Sequence, residues 1–348
     1  MKKAAVKTIL GLALSLNLAN AFAEAALAYN AELLISRYAS WGIDPDKHLA
    51  SVNLKASWTK FKKNKDVVVA VVDTGIQGDH PFLAQNIYVP AGKSSTSNYG
   101  VDFSDSKKVT NTPIDQHGHG THVAGIVKSI FPEVKILALK YYNPKASGQA
   151  NLDATIKALK YAVDNNVDVI NYSGGGPEAS VEELRVLKEA EKKGILVIAA
   201  AGNERSNIDD KRHAYYPASY GLSNIITVGA HDDNLNIIPS SNYGKNSVDI
   251  AAPGHRIRSA IPNNGAGYMT GTSQATAFVS GVAAMIKAKY PSMKYDQVKN
   301  IILSSSLKVK NFEGKILGAG KLDAAKAIEL ADSVNEKVES QSRAVANR

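Results

Sequence analysis

Apolar runs rich in Val and Ile alternate with helical patterns through most of this chain, and this alternation constrains its fold more than any other feature. The clearest run is DVVVAVV at residues 66–72, which is apolar and β-branched after its first residue. Such a run is typical of a strand buried on both faces of a parallel sheet. Further strands are predicted at 134–139, 167–171, 195–200, 225–228 and 248–250, and helices at 119–130, 151–164, 181–193, 273–290 and 295–303. This order predicts an α/β fold, with a doubly wound, mostly parallel sheet flanked by helices.

Composition narrows the chemistry that the folded chain can use. The 348 residues include no cysteine, which excludes disulfides and thiolate metal sites. The formal net charge is +9, but the basic residues are spread along the chain and form no long run with interleaved aromatics. A nucleic-acid interface is typically a continuous basic patch. The charge pattern therefore predicts a solvated surface and no nucleic-acid partner.

Residues 1–23 have the three parts of a secretory signal peptide. Three lysines precede or border a short apolar core at residues 9–18, and the sequence AFA at 21–23 fits a small-x-small cleavage site. The apolar core is too short to span a bilayer, which argues against a membrane anchor. We therefore predict a secreted protein, extracellular or periplasmic, with Glu24 as the first mature residue. Residues 24–39 would then form a short leader or N-terminal extension.

A serine stands where small residues lead into a long helical pattern. Residues 269–273 read MTGTS, and an apolar run rich in Ala, Val and Gly follows. A serine at a buried helix N-terminus lies in the partial positive charge of that terminus, which favours an anion forming beside it. Ser273 is therefore a candidate nucleophile, although a helix cap is the commoner use of such a serine.

Further candidates follow from the rule that ligands bind at the carboxyl ends of parallel strands. Asp73 closes the most apolar strand, where its carboxylate needs a compensating partner or serves as a turn cap. His119 begins a predicted helix within HGHGTHVAG at 117–125. Three histidines there would suit a metal ion, but no Glu follows at the spacing of zinc proteases, so no metal site is predicted. Asn203 ends a buried strand, where its amide can donate into a site or form an ordinary turn.

Five motifs in this order resemble those of the subtilisin-like serine proteases, the subtilase family. They are VVDTG at 71–75, HGTHVAG at 119–125, NYSGGG at 171–176, AAAGN at 199–203 and GTSQA at 271–275. The resemblance implies a subtilisin-like peptidase domain at residues 40–330, followed by a polar C-terminal tail at 331–348 that is expected to fray. It also implies a serine endopeptidase that hydrolyses peptide bonds through an acyl-enzyme intermediate. A catalytically inactive peptide-binding homologue and an esterase remain the alternatives.

The resemblance assigns a role to each candidate residue. Ser273 would attack the peptide carbonyl, His119 would take and return the proton, and Asp73 would orient the imidazole. The side-chain amide of Asn203 and the backbone N–H of Ser273 would form the oxyanion hole.

The resemblance also implies where a polypeptide substrate lies. An extended substrate would pair with two backbone edges, at residues 173–175 and 147–149. The substrate-binding residues expected on this basis are Ser173, Gly174, Gly175, Gly148, Ala201, Gly202 and Tyr215. Tyr215 stands where many relatives carry a small residue at the floor of the primary pocket, so it would shorten that pocket. His117 is expected at the loop surface, and His122 as a buried, hydrogen-bonded residue.

Many secreted relatives bind calcium tightly through a loop soon after the catalytic histidine and an Asp soon after the catalytic Asp. In this chain the predicted helix runs to Ile130 and leads almost directly into the next strand, and Phe82 replaces that Asp. Calcium needs about six to eight oxygen ligands. We therefore expect this site to be absent and no cofactor to be required, with a weak cation site left open near residues 215–220. A monomer is expected, and residues 24–39 are too few for the folded propeptide domain of many secreted relatives.

Overall fold

The computed structural model describes residues 37–44, 49–54, 61–90 and 98–346, with side chains described up to residue 341. The predicted signal peptide and most of the predicted leader lie outside this part of the chain. The α-helices are α1 (His119–Ile130), α2 (Gly148–Asp164), α3 (Val181–Lys192), α4 (Thr272–Lys289), α5 (Tyr295–Ser304) and α6 (Ala324–Ala346). The strands are β1 (Val68–Asp73), β2 (Gly100–Asp102), β3 (Lys135–Lys140), β4 (Val169–Tyr172), β5 (Leu196–Ala200), β6 (Ile225–His231), β7 (Ile250–Pro253), β8 (Ile257–Ile261), β9 (Gly265–Met269), β10 (Leu307–Lys308) and β11 (Gly320–Lys321).

Nine of these strands form one sheet in the order β10-β11-β7-β6-β5-β4-β1-β3-β2. Every neighbouring pair is parallel except β10 and β11, which are antiparallel. Strands β8 and β9 form a separate antiparallel hairpin. Strands β2 and β3 lie on one side of β1, and β4 to β7 lie on the other side. This arrangement is expected when crossover helices cover both faces of the sheet. The prediction of a doubly wound, mostly parallel α/β sheet is confirmed.

The central position of β1 in the sheet explains why polar and apolar residues do not alternate in its sequence. Val69 and Val71 pack into a core formed with α1, α4, α5 and α6 on one face of the sheet. Ala70 and Val72 pack into a second core with α2 and α3 on the other face. Because successive side chains of a strand point to opposite faces, a strand covered on both sides must be apolar at every position.

The C-terminal segment differs from its prediction. The polar residues after 331, which were expected to fray, continue α6 as far as Ala346. The first half of this helix buries Ala324, Ala327 and Ala331 in the core. Tertiary packing of that half supplies the nucleus, and extending a helix from an existing nucleus is much easier than starting one.

Candidate active site

The carboxyl ends of three neighbouring strands bring the candidate residues to one edge of the sheet. Strand β4 lies between β1 and β5. Asp73 is the last residue of β1, Ser173 follows β4 directly, and Asn203 comes shortly after β5. Since parallel strands end at the same edge, these residues converge although they are far apart in sequence.

Asp73 and His119 form a hydrogen-bonded pair at this edge. His119 Nδ1 lies 2.7 Å from Asp73 Oδ1, which also accepts a 2.7 Å hydrogen bond from the backbone N–H of Thr74. Asp73 is only 3% exposed, and its Oδ2 has no hydrogen-bond partner within the described part of the chain. A buried carboxylate in this position holds the proton on Nδ1, which leaves Nε2 as the basic nitrogen.

Two glycines allow α1 to begin against the end of β1. Gly118, the residue that caps α1, has a φ of 97°, in the left-handed region that glycine adopts most readily. A Cβ atom on Gly120 would lie 2.1 Å from the carbonyl oxygen of Gly75, which is too close for any side chain. The missing side chains therefore permit the close approach that brings His119 to Asp73.

Asp115 is a functional residue that the sequence patterns did not reveal. Its buried carboxylate accepts hydrogen bonds from Thr74 Oγ1 at 2.9 Å and from the N–H of Gly118 at 2.7 Å. It also accepts from the N–H and hydroxyl of Thr121, at 2.9 and 2.6 Å. These bonds tie the turn after β1 to the first turn of α1, so Asp115 positions both members of the aspartate–histidine pair. The only local signal was an acid shortly before a helix N-terminus.

Ser273 is the second residue of α4 and is 7% exposed. Its hydroxyl donates to the carbonyl oxygen of Ser173 at 2.9 Å, and the Ser173 hydroxyl donates to the carbonyl of Ser273 at 3.2 Å. The side chain of His119, by contrast, is 22% exposed. A serine hydroxyl has one proton, so Ser273 cannot donate to Ser173 and to another acceptor at the same time.

The residue before Ser273 orients the amide of Asn203. Asn203 Oδ1 accepts hydrogen bonds from the backbone N–H and the hydroxyl of Thr272, at 3.0 and 3.4 Å. This contact fixes the oxygen end of the amide, so its NH2 group faces away from Thr272. The N–H of Ser273 belongs to the first turn of α4, where backbone donors have no partner within the helix. The two donors suit an oxygen that acquires negative charge.

Burial and charge act in opposite directions on the pKa of His119. Burial lowers it, but the charge and hydrogen bond of Asp73, together with the charge of Asp115, raise the pKa above its ordinary value of 6.5. Burial, followed by the charge of His119, lowers the pKa of His122 to about 4. The neutral His122 ring donates from Nε2 to the carbonyl of Ile257 at 3.0 Å. The interpretation of His122 as a buried, hydrogen-bonded residue is confirmed, and His117 is exposed as expected.

Tyr215 lies between the two segments that were expected to line a primary pocket. A Cβ atom on Gly175 would be 2.5 Å from Tyr215 Cε1, and one on Gly202 would be 3.0 Å from Cδ2. Ser173 and Ala201, the neighbours of these glycines, are buried. The tyrosine ring therefore fills space that the two glycines leave open.

The second expected backbone edge, at residues 147–149, is not extended. Ser147 has extended backbone angles, but Gly148 and Gln149 form the first turn of α2. The helix starts here because the Ser147 hydroxyl oxygen accepts a 3.2 Å hydrogen bond from the N–H of Ala150. The expectation that a substrate pairs with this segment stays a prediction. Gly148 instead lines, together with Gly175, a cavity of about 630 Å³.

Comparison with known proteins decides the family. The model of the subtilase family matches residues 64–332. This chain belongs to the subtilase family. The major intracellular serine protease of Bacillus subtilis (strain 168) is 36% identical over 240 residues, which are 66% of this chain and 71% of that protein. Subtilisin DY of Bacillus licheniformis is 36% identical over 253 residues, 70% of this chain and 85% of that protein.

A solved structure also resembles this subtilase. It comes from work on the structural basis of subtilase cytotoxin SubAB assembly, and it superposes with a TM-score of 0.69 at 25% identity. The match covers 83% of this chain and 97% of that one. The subtilase is a serine-type endopeptidase, as its family and its relatives establish.

Two kinds of feature are missing from the described residues. No helix within those ranges is long and apolar enough to cross a membrane. In the same part of the subtilase, no group of three or more His, Asp or Glu side chains is arranged to hold a metal ion.

The kcat/KM of the subtilase should rise with pH through a midpoint above 6.5, the ordinary pKa of histidine. A general base must be neutral to accept a proton, so a raised pKa of His119 moves the acid limb of the profile upward. The profile is measured with a peptide substrate that does not itself titrate in this range. A midpoint at or below the ordinary value would contradict the dominance of the Asp73 charge over burial.

Proposed function

We propose that the subtilase cleaves polypeptides through an Asp73–His119–Ser273 triad and an acyl-enzyme intermediate. The observation that carries the proposal is the 2.7 Å contact between Asp73 Oδ1 and His119 Nδ1, at the edge where α4 begins. Ser273 Oγ attacks the peptide carbonyl carbon while His119 Nε2 takes its proton. The C–N bond then breaks, and His119 gives the proton to the leaving amine. Water next attacks the acyl-enzyme, with His119 again as base, and releases the carboxylic acid.

The amide NH2 of Asn203 and the N–H of Ser273 bind the oxyanion in this proposal. The hydrogen bonds from Thr272 support it, because they hold the Asn203 amide in place before the reaction begins. Donors fixed in advance need no reorganisation as negative charge develops. Loss of the corresponding amide in subtilisin itself costs about 2.7–4 kcal/mol of transition-state stabilisation.

Fluorophosphonate labelling tests the proposed chemistry. Folded protein is treated at mildly alkaline pH, the labelled residue is mapped by mass spectrometry, and a peptide library is incubated in parallel. We expect label on Ser273, none on the Ser273→Ala variant, and cleaved peptides. A catalytically inactive peptide-binding homologue would take no label although folded. An esterase would take the label but leave the peptides intact.

Replacing Tyr215 by Gly should widen the primary pocket. The ring occupies the space between Gly175 and Gly202, so the unaltered protein should favour small side chains next to the scissile bond. Removing the ring should raise the kcat/KM ratio of a Phe peptide over the matched Ala peptide by about 10-fold or more, the scale on which pocket size discriminates substrates. Tyr295→Phe, at a tyrosine that bonds to Ser223 away from this site, serves as the control and should leave the ratio unchanged. An unchanged ratio in Tyr215→Gly would place the pocket floor elsewhere.

Export and a monomeric state complete the proposal. Support for export comes from the three-part pattern of residues 1–23, which lie outside the described part of the chain. N-terminal sequencing of protein recovered from the periplasm or medium should begin at Glu24, and a cell-retained protein beginning at Met1 would contradict export. Sedimentation of the Ser273→Ala variant measures the oligomeric state without self-digestion.

We also propose that no tight calcium ion binds after the proposed catalytic histidine. Lys128 Nζ donates to the carbonyl oxygen of Phe82 and lies 4.6 Å from the centroid of the Phe82 ring. Burial lowers the pKa of Lys128 to about 8, so the amine is still mostly charged at neutral pH and opposes a second cation. Near residues 215–220, where a weak site was left open, Lys299 Nζ lies 3.5 Å from Asp249 Oδ2. A lysine therefore lies close to both places where a calcium ion was considered, beside Phe82 and near residues 215–220.

Millimolar calcium should therefore leave the unfolding midpoint of the Ser273→Ala protein almost unchanged relative to EDTA. A tight ion supplied at 100 times its Kd would add about 2.7 kcal/mol of stability, which corresponds to several degrees for a domain of this size. Calorimetry with each additive measures the difference. A large upward shift, together with an ion bound beside Phe82 and Phe131, would show that the site exists.

A further inference from the structure

The cavity that Gly148 and Gly175 line lies beside the segments that were expected to hold the substrate. It measures about 630 Å³, and its rims include Gly148 at the start of α2 and Gly175 and Gly176 after β4. Its lining includes four tyrosines and two carboxylic acids, namely Tyr141, Tyr142, Tyr172, Tyr216, the exposed Glu178 and the buried Glu183. The mechanism proposed above uses none of these six side chains.

A continuous series of aromatic contacts connects this cavity with the proposed general base. The ring centroids of His119 and His117 are 6.3 Å apart, and those of His117 and Tyr142 are 5.8 Å apart. The ring centroid of Tyr142 lies 6.2 Å from that of Tyr141, and the centroids of Tyr141 and Tyr172 are 6.5 Å apart. All four pairs meet edge-on, so the rings pack as one connected wall. The cavity is therefore within reach of a polypeptide bound at His119.

Gly174 joins this wall to the expected substrate edge. A Cβ atom on Gly174 would lie 2.3 Å from Tyr141 Oη, so the tyrosine lies directly over the glycine backbone. Residues 173–175 were expected to pair with an extended substrate. A substrate side chain that leaves this edge on the side of Tyr141 therefore enters the tyrosine-walled cavity.

Glu183 lines the cavity although its residue is only 1% exposed. One carboxylate oxygen accepts a 3.0 Å hydrogen bond from the Tyr172 hydroxyl, and the other accepts a 2.8 Å hydrogen bond from the Tyr220 hydroxyl. A carboxylate offers about four acceptor positions, so acceptor capacity remains for another donor. None of the described lysines or arginines forms an ion pair with Glu183 or acts on its pKa, which burial raises.

The carboxyl group of Glu183 is not needed to cap α3. Ser180 and Glu183 have the S-x-x-E spacing in which the glutamate normally returns to the N–H of the serine. In this structure the Tyr220 hydroxyl accepts from that N–H at 2.9 Å instead. The acid is thus free from capping yet remains buried, where its charged form is costly without compensation.

We propose that this cavity binds a lysine or arginine side chain of the polypeptide substrate, and that Glu183 selects its positive charge. A cation is attracted to tyrosine faces, its aliphatic stem packs on the rings, and its charge compensates the buried carboxylate. The Glu183 carboxylate repels an acidic side chain, and a short side chain leaves part of the cavity unfilled. The selected residue is not the one expected in the primary pocket, because Tyr215 and Gly202, the residues expected there, do not line this cavity. This inference rests on the proposed peptidase function and adds a substrate class to it.

The first test changes only the substrate. Library profiling first identifies a good peptide, and variants then carry lysine, norleucine or glutamate at each position outside the primary pocket. Norleucine has nearly the length of lysine but no charge. At one position we expect kcat/KM for lysine to exceed that for norleucine by about 10-fold or more, with glutamate lowest. Norleucine equal to lysine at every position would overturn the inference.

The second test removes the charge of Glu183. Glu183→Gln keeps the shape and can still bond to the tyrosine hydroxyls, so the lysine-to-norleucine ratio should fall close to one. Its labelling by the fluorophosphonate reports whether the fold around Ser273 is intact, so the ratio is read only from protein that takes the label. The matched control is Glu182→Gln, which alters the neighbouring exposed acid that pairs with Arg185 at 2.7 Å and should leave the ratio intact.

The outcomes separate the two proposals. A folded Glu183→Gln protein that keeps its preference for lysine would overturn the role of Glu183 and leave the peptidase function standing. If this variant does not fold, the substrate comparison on the unaltered protein decides the inference. An unaltered protein that neither takes the label nor cleaves any peptide would overturn the proposed function, and the cavity's role as a substrate pocket with it.

Discussion

Replacing Ser273 by alanine should abolish peptide hydrolysis, with a loss in kcat of about 10⁶-fold. Losses of this size follow removal of the nucleophile in subtilisin itself. The variant should nevertheless fold, because the Ser273 hydroxyl donates one hydrogen bond, to the carbonyl of Ser173. The checks are kcat on a chromogenic peptide and the thermal unfolding midpoint of each protein.

Ser129→Ala supplies the control for this prediction. Ser129 is also a buried serine, and its hydroxyl bonds at 2.8 Å to the carbonyl of Gly125 within its own helix. Its replacement should leave kcat within a few-fold of the unaltered protein. If purified Ser273→Ala protein kept activity comparable to that control, the nucleophile would have to be another residue.

Replacing Asp73 by asparagine should lower kcat by about 10⁴-fold, as the equivalent change does in a serine protease of unrelated fold. The carboxylate accepts from both His119 Nδ1 and the N–H of Thr74. Both donors contact the same oxygen, Oδ1, so an asparagine that keeps its oxygen there still accepts from both but carries no negative charge. The imidazolium that forms when His119 takes the proton of Ser273 then loses the charge that stabilises it.

The same substitution should also move the acid limb of the pH profile downward. The charge of Asp73 opposes the effect of burial on the pKa of His119, so removing that charge lets burial lower the pKa. The pH dependence of kcat/KM for both proteins measures the shift. Asp79→Asn is the control, since Asp79 is exposed and accepts from Gln77 at 2.9 Å. An acid limb that stays in place in Asp73→Asn would exclude Asp73 as the source of the raised pKa.

Sequence patterns predicted the central sheet well and the irregular elements poorly. The bounds predicted for α1, His119–Ile130, are those of the structure, and β1 falls within one or two residues of its prediction. A strand buried on both faces leaves a strong local signal because all its residues are apolar. The hairpin of β8 and β9 was missed, since its second strand, Gly265–Met269, contains little apolar or β-branched sequence. Pairing with β8 and a 3.3 Å contact between His122 Nε2 and the carbonyl oxygen of Gly267 hold this strand instead.

The sequence by itself determined the candidates Asp73, His119, Asn203 and Ser273, because each stands in a local motif at the end of a strand or the start of a helix. Only the tertiary structure decided the surroundings of these residues. Asp115 bonds to Thr74 across 41 positions of sequence, and Tyr220 bonds to Glu183 across 37. The physical reason is that hydrogen-bond partners and burial depend on which loops meet at the carboxyl edge of the sheet. Local sequence patterns carry no signal for these long-range contacts.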